Sequence, residues 1–161
     1  MIARSRAAAA LTLALIAPAA QAQYRVDEIV AKGGQVITAG QFKSEIVGGY
    51  VSGASEQGFQ FELFYSRDGR LEGMVSTPRG SSGLIGTWGI SRTNAICVEY
   101  TLTASRDIAT RCVWYWKAGN EYFSTNSRMD DEAAVKFAEC IAAGGRGCEA
   151  GFMLGKRSVL R

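Results

Sequence analysis

The chain has 161 residues, 18 basic and 15 acidic side chains and no histidine, for a formal charge of +3. Two of the basic residues, Arg4 and Arg6, sit at the extreme N-terminus, so the remainder is nearly neutral and has no Lys/Arg stripe of the kind a nucleic-acid surface needs. Without histidine, the commonest general base, the usual Ser–His and Cys–His nucleophile pairs, and most zinc and copper sites are ruled out.

Arg4 and Arg6 are followed by an apolar run from Ala7 to Ala17, Pro18, and the small-x-small ending Ala20-Gln21-Ala22. This pattern predicts a signal peptide over 1–22 with cleavage before Gln23, and a mature chain that is periplasmic or secreted. The run falls short of the ~20 residues of a spanning helix, so no transmembrane segment is expected in the mature chain. About 140 residues remain, enough for one core, so 23–161 is read as a single β-rich domain.

Four cysteines in an exported chain of this size predict two disulfides. Of the three pairings, proximity favours Cys97–Cys112 and Cys140–Cys148. A four-thiolate zinc site would need C-x-x-C knuckles, which are absent, so no metal or other cofactor is expected.

Tyr24 to Lys32 reads either as a short helix with Val26, Ile29 and Val30 on one side, ended by Gly33-Gly34, or as a loosely docked terminus. Thr38-x-x-Gln41 matches a capping box, Phe42 and Ile46 follow at helical spacing, and Gly48-Gly49 stops this second helix. Tyr50 to Gly53 is short and β-prone. In the next segment Phe59, Phe61, Leu63 and Tyr65 form one strand face, and Leu71, Gly73 and Val75 form one face of the following strand. A two-residue Asp68-Gly69 turn would set these rows on opposite faces. A three-residue loop, Arg67 to Gly69 with Gly69 left-handed, instead places Tyr65 opposite Leu71 and Phe61 opposite Val75.

The same parity test predicts an Arg92-Thr93-Asn94 loop with Asn94 at positive φ and Trp88 opposite Val98. Ile96, Val98, Tyr100 and Leu102 make an apolar row, which turns Cys97 outward. If Cys97 lies directly across from Cys112, Thr103 to Arg106 is a normal hairpin loop and the sulfurs are within bonding reach. After a turn at Ala118-Gly119-Asn120 the chain returns as a strand over Glu121 to Thr125. The result is a mainly β fold: a small antiparallel meander of six to eight strands, barrel-like or strongly curved. A C-terminal helix is predicted from Asp130 to Ala143, and Phe152 to Leu160 is read as a last strand or a trailing end.

The helix ending in Ile46-Val47-Gly48-Gly49, the Asp68-Gly69 hairpin, Gly86-Thr87-Trp88, Cys97, Cys112 and the glycine turn before Tyr122 resemble a group of small exported Gram-negative proteins classed as a domain of unknown function. The likeness covers roughly Thr38 to Thr125 and leaves out Cys140 and Cys148. It implies a secreted, disulfide-linked β-rich domain and carries no catalytic residues. Gly86-Thr87-Trp88 is also similar to the lipocalin Gly-x-Trp, which lipocalins place in their first strand, whereas here half the mature chain precedes it.

Two features stand out as candidate binding residues. With Cys112 outward, Trp114 and Trp116 join Ile108 in an apolar outer row, to be covered by the C-terminal helix through Phe137 and Ile141 or left to dock a partner. Arg111 falls on the inner side near the rim, where it reaches water or meets an anionic ligand. Glu62, Glu72 and Glu99 fall on the solvated face. These readings point to an exported, non-catalytic binding module for a small ligand or an envelope protein. The alternatives are an inhibitor of a secreted hydrolase, or a histidine-free carboxylate enzyme acting on envelope glycans.

Overall fold

A curled antiparallel sheet of eleven strands and two helices make up the computed structural model, which describes residues 23–55, 57–125, 136, 139–140, 143 and 153–161. In chain order these are β1 (Gln23–Arg25), α1 (Val26–Ala31), β2 (Gln35–Val36), α2 (Ala39–Glu45), β3 (Tyr50–Ala54), β4 (Gln60–Tyr65), β5 (Arg70–Thr77), β6 (Gly80–Ile90), β7 (Ile96–Leu102), β8 (Ile108–Val113), β9 (Tyr115–Ala118), β10 (Glu121–Thr125) and β11 (Met153–Leu160). No described helix is long and apolar enough to cross a membrane.

The pairing path runs β2-β9-β10-β11-β3-β4-β5-β6-β7-β8, with β1 on β11 beside it. Only Trp114 separates β8 from β9, so one bent strand joins the β7 side of the path to the β10 side. The strand count exceeds the expected six to eight for two physical reasons. β1 and β2 are too short to show a period, and the segment from 108 to 118 splits where it leaves β7 for β2 and β10. Curling is helped by Gly73 and Gly86, where an added Cβ would lie 2.1 Å from the Glu62 carbonyl oxygen and 2.0 Å from that of Glu99.

The hairpin registers follow the parity argument. Tyr65 pairs with Leu71 and Phe61 with Val75, and Gly69 has φ 87°. Trp88 pairs with Val98, and Asn94 has φ 61°. Cys97 lies directly opposite Cys112, with Cα atoms 4.0 Å apart and the sulfurs bonded. Closing this 15-residue separation stabilises the fold by about 3 kcal/mol in the chain-entropy account.

The inward row gathers Val51, Tyr65, Leu71, Leu84, Ile96, Val98 and Tyr115 into one core. α2 closes one end of it. The Thr38 hydroxyl accepts from the Gln41 N–H and the Gln41 side chain accepts from the Thr38 N–H, which starts the helix on the predicted capping box. That start sets fully buried Phe42 against Tyr65, Trp88 and Tyr115, with ring centroids 5.2–5.5 Å away. The other end of α2 is held by Glu45, whose Oε2 accepts from Lys117 Nζ at 2.7 Å and from the Tyr122 hydroxyl. These two bonds keep the Glu45 carboxyl below its ordinary pKa.

Two expectations about the C-terminal part need correction or bounding. The segment read as a last strand or trailing end is β11, a central strand that pairs with β10, β1 and β3. Its Lys156-Arg157 doublet hides the alternation, because Arg157 points inward among apolar residues. α1 and α2 both lie within the first 45 residues of the chain, and Lys136, Glu139 and Cys140 are helical as well. The helix predicted over 130–143 falls mostly outside the described residues, although Ala143 N–H donates to the Glu139 carbonyl at helical spacing, 3.0 Å.

Candidate functional site

The strands past α2 leave a cavity of about 510 Å³ inside the curl. Its walls are the inward side chains that alternation predicts, among them Phe61, Leu63, Val75, Leu84, Tyr100 and Leu102. The rim is wetter, with exposed Gln57, Thr110 and Arg111. Arg111 pairs with Val98 across β7 and β8 and therefore shares its inward side, at the mouth, as its register requires.

A second cation, which the sequence reading passed over, lies deeper. Arg157 is 4% exposed and lines the cavity. Its Nε donates to Ser124 Oγ at 2.8 Å, and its Nη1 donates to the carbonyls of Ala54 and Lys156 at 3.1 Å each. The guanidinium also lies over the Phe61 ring, 5.0 Å from the centroid. Gly53 makes the room, since a Cβ there would sit 2.8 Å from Nη1. Burial lowers the Arg157 pKa from its ordinary value, yet a guanidinium stays charged at neutral pH.

Tyr65 and Tyr115 add two hydroxyls to a lining that also carries Ser55, Thr77, Ser124 and Thr125. Their hydroxyls lie 3.1 Å apart and both residues are buried. Burial pushes the Tyr65 phenol well above its ordinary pKa and raises that of Tyr115, so both stay neutral. Two hydroxyls carry two protons and share one bond, which leaves one O–H to donate to a further acceptor.

Trp114 borders the cavity, whereas Trp116 does not. They were expected as an outer row with Ile108, covered by the C-terminal helix or exposed for docking. Ile108 is 73% exposed, but Trp114 and Trp116 are 4% and 2% exposed in a second core with Val26, Ile29, Phe123 and Leu154. The exposed-patch expectation is therefore wrong. Val26 and Ile29 of α1 share this core with both indoles, the expected cover by Phe137 and Ile141 lies outside the described residues, and the Trp114 indole N–H donates to the Thr93 carbonyl at 3.1 Å. Cys140 packs against the same core and is itself disulfide-bonded, while Cys148 lies outside the described residues.

Chemically, the site offers an apolar volume, one buried cation and neutral hydroxyl donors. Among the described residues no carboxylate lines it, and Glu62, Glu72 and Glu99 are exposed on the outer face. Nor do three His, Cys, Asp or Glu side chains gather as metal ligands would, among the described residues. Fold and site together define a curled-sheet β protein with a hollow, mostly apolar interior. Comparison with protein-family models, with curated proteins and with solved structures finds no match.

Proposed function

We propose that this chain is an exported, non-catalytic binding module that takes a small, largely apolar molecule into the interior of its curled sheet. The observation that carries the reading is the cavity of about 510 Å³ bounded by inward apolar side chains. Pockets for small molecules span roughly 300–1,000 Å³ and combine apolar walls with a few placed polar groups. Export is supported by the Arg4 to Ala22 leader pattern and by the Cys97–Cys112 bond, which suits an oxidising compartment. Burial of Trp114 and Trp116 favours a small ligand over an envelope protein docked at that face.

Titration with Nile red, a neutral dye that brightens in apolar surroundings, tests this. The wild type should take up one dye per chain. Val75→Trp, which fills the cavity from a half-buried wall position, should weaken uptake by about tenfold or more while circular dichroism stays that of the wild type. No uptake by the wild type, or equal uptake by a folded Val75→Trp chain, would reject the reading.

A further inference from the structure

The hydroxyl pair of Tyr65 and Tyr115 is a feature that an apolar cavity does not need. Phenylalanine at both positions would keep the ring packing against Phe42, whose centroid lies 5.2 and 5.3 Å away, and would avoid burying two hydroxyls. Both residues line the cavity, and they are only 1% and 2% exposed. Their hydroxyls share one hydrogen bond of 3.1 Å, in which either can donate, and among the described residues neither hydroxyl has another partner. Whichever phenol donates, the other keeps an O–H proton with no acceptor. A buried donor left in that state costs free energy, which an incoming acceptor recovers.

The placement of the pair also gives a direction. β4 carries Tyr65, Leu63 and Phe61 on its inward side, and β5 sets Leu71 opposite Tyr65 and Val75 opposite Phe61. Tyr65 lies at the end plugged by Phe42, and Phe61 is about 13 Å farther along the strand, at roughly 3.3 Å per residue.

We infer that the ligand is a neutral apolar molecule with one carbonyl oxygen, of the ketone or ester type, which accepts the spare O–H of the Tyr65–Tyr115 pair at the closed end while the apolar remainder lies along Leu71, Leu63 and Phe61 toward the mouth. The inference rests on the binding reading above and adds the functional group and orientation of the ligand. A carbonyl accepts without bringing a proton of its own, which matches a pair with a single donor to spare. The bond from one phenol to the other polarises the second, so its O–H is a stronger donor than that of a lone phenol. Contacts of Tyr65 with Phe42 and Trp88, and of Tyr115 with Phe42, hold both rings before binding, so little freedom is lost when the oxygen arrives.

Displacement of Nile red by 2-undecanone and by 2-methylundec-1-ene, in which a methylene group replaces the oxygen, is the test. The ratio of the two affinities, compared between variants, cancels the difference in their hydration. Relative to the double variant Tyr65→Phe/Tyr115→Phe, the wild type should favour the ketone by about fivefold or more. Each single variant keeps one phenol whose O–H is free, so each should retain a ketone preference, weaker than that of the wild type for want of the polarising partner. The infrared carbonyl band of bound 2-undecanone should lie at lower wavenumber in the wild type than in hexane, by less in the single variants, and at the hexane position in the double variant. Read on the wild type and the single variants, this band decides even if the double variant fails to fold. An unshifted band in the wild type, or a shift or ketone preference that survives unchanged in a folded double variant, would overturn the inference and leave the apolar-binding reading standing. Failure of the dye, the ketone and the alkene to bind the wild type would instead reject the binding reading itself.

Discussion

The two ends of the curled sheet are built from the same strands and differ in what fills them. At one end α2 inserts Phe42 among Tyr65, Trp88 and Tyr115, and no room is left. At the other, inward side chains of equal apolarity, such as Leu102 and Val75, face open volume. Alternation along the strands thus creates an apolar interior, but whether that interior becomes packed core or cavity depends on a separate element arriving to close it. Here a seven-residue helix, started by a capping box, closes one end only.

Truncation at the two ends should expose this difference. Phe42→Ala removes the plug and should cost about 3–5 kcal/mol in urea unfolding, since a filled site cannot collapse around the void. Next in size is the covalent tie between β7 and β8. Replacing Cys97 and Cys112 together by Ala should lower stability by about 3 kcal/mol, read as a shift in the denaturation midpoint. Leu102→Ala at the open end should cost less than about 1.5 kcal/mol, because its half-buried side chain already faces empty space. A loss at Leu102 as large as that at Phe42 would mean that the two ends are equally packed.

The smallest effect concerns how α2 is anchored. Glu45 accepts from Lys117 and Tyr122, and its folded pKa lies below its ordinary value of about 4.5. A carboxyl depressed in this way adds stability above that ordinary value, and the contribution fades as pH falls through the folded value. Glu45→Gln should therefore cost about 1 kcal/mol at neutral pH, and its difference from wild type should shrink on acidification below about pH 4.5. A difference that does not change with pH would show that the pair does not anchor the helix.

Much of the strand architecture could be read from local pattern. Only one parity of loop length brings the apolar rows of neighbouring strands to the same face, so Tyr65 opposite Leu71 and Trp88 opposite Val98 follow from counting. The bond between Cys97 and Cys112 follows from the same register. The site was legible in part. Arg111 could be placed on the inner rim from its position in β8, whereas Arg157 could not, because a Lys-Arg doublet reads as surface until its strand is known to be central. Trp114 and Trp116 are buried in a core that Val26 and Ile29 of α1 share, a contact between distant segments that leaves no trace in sequence spacing.

The residues in order were thus enough to determine periodicity, helix starts, turn lengths and the opposed cysteines, all of which depend on neighbours a few positions apart or on adjacent strands. Tertiary structure alone decided that β11 joins the middle of the sheet, that α1 shares a core with two indoles, and that a guanidinium lies inside an apolar cavity. Those outcomes depend on which distant segments share one volume. The free energy of burying a side chain is set by the groups brought around it in space, and its position in the chain does not name them.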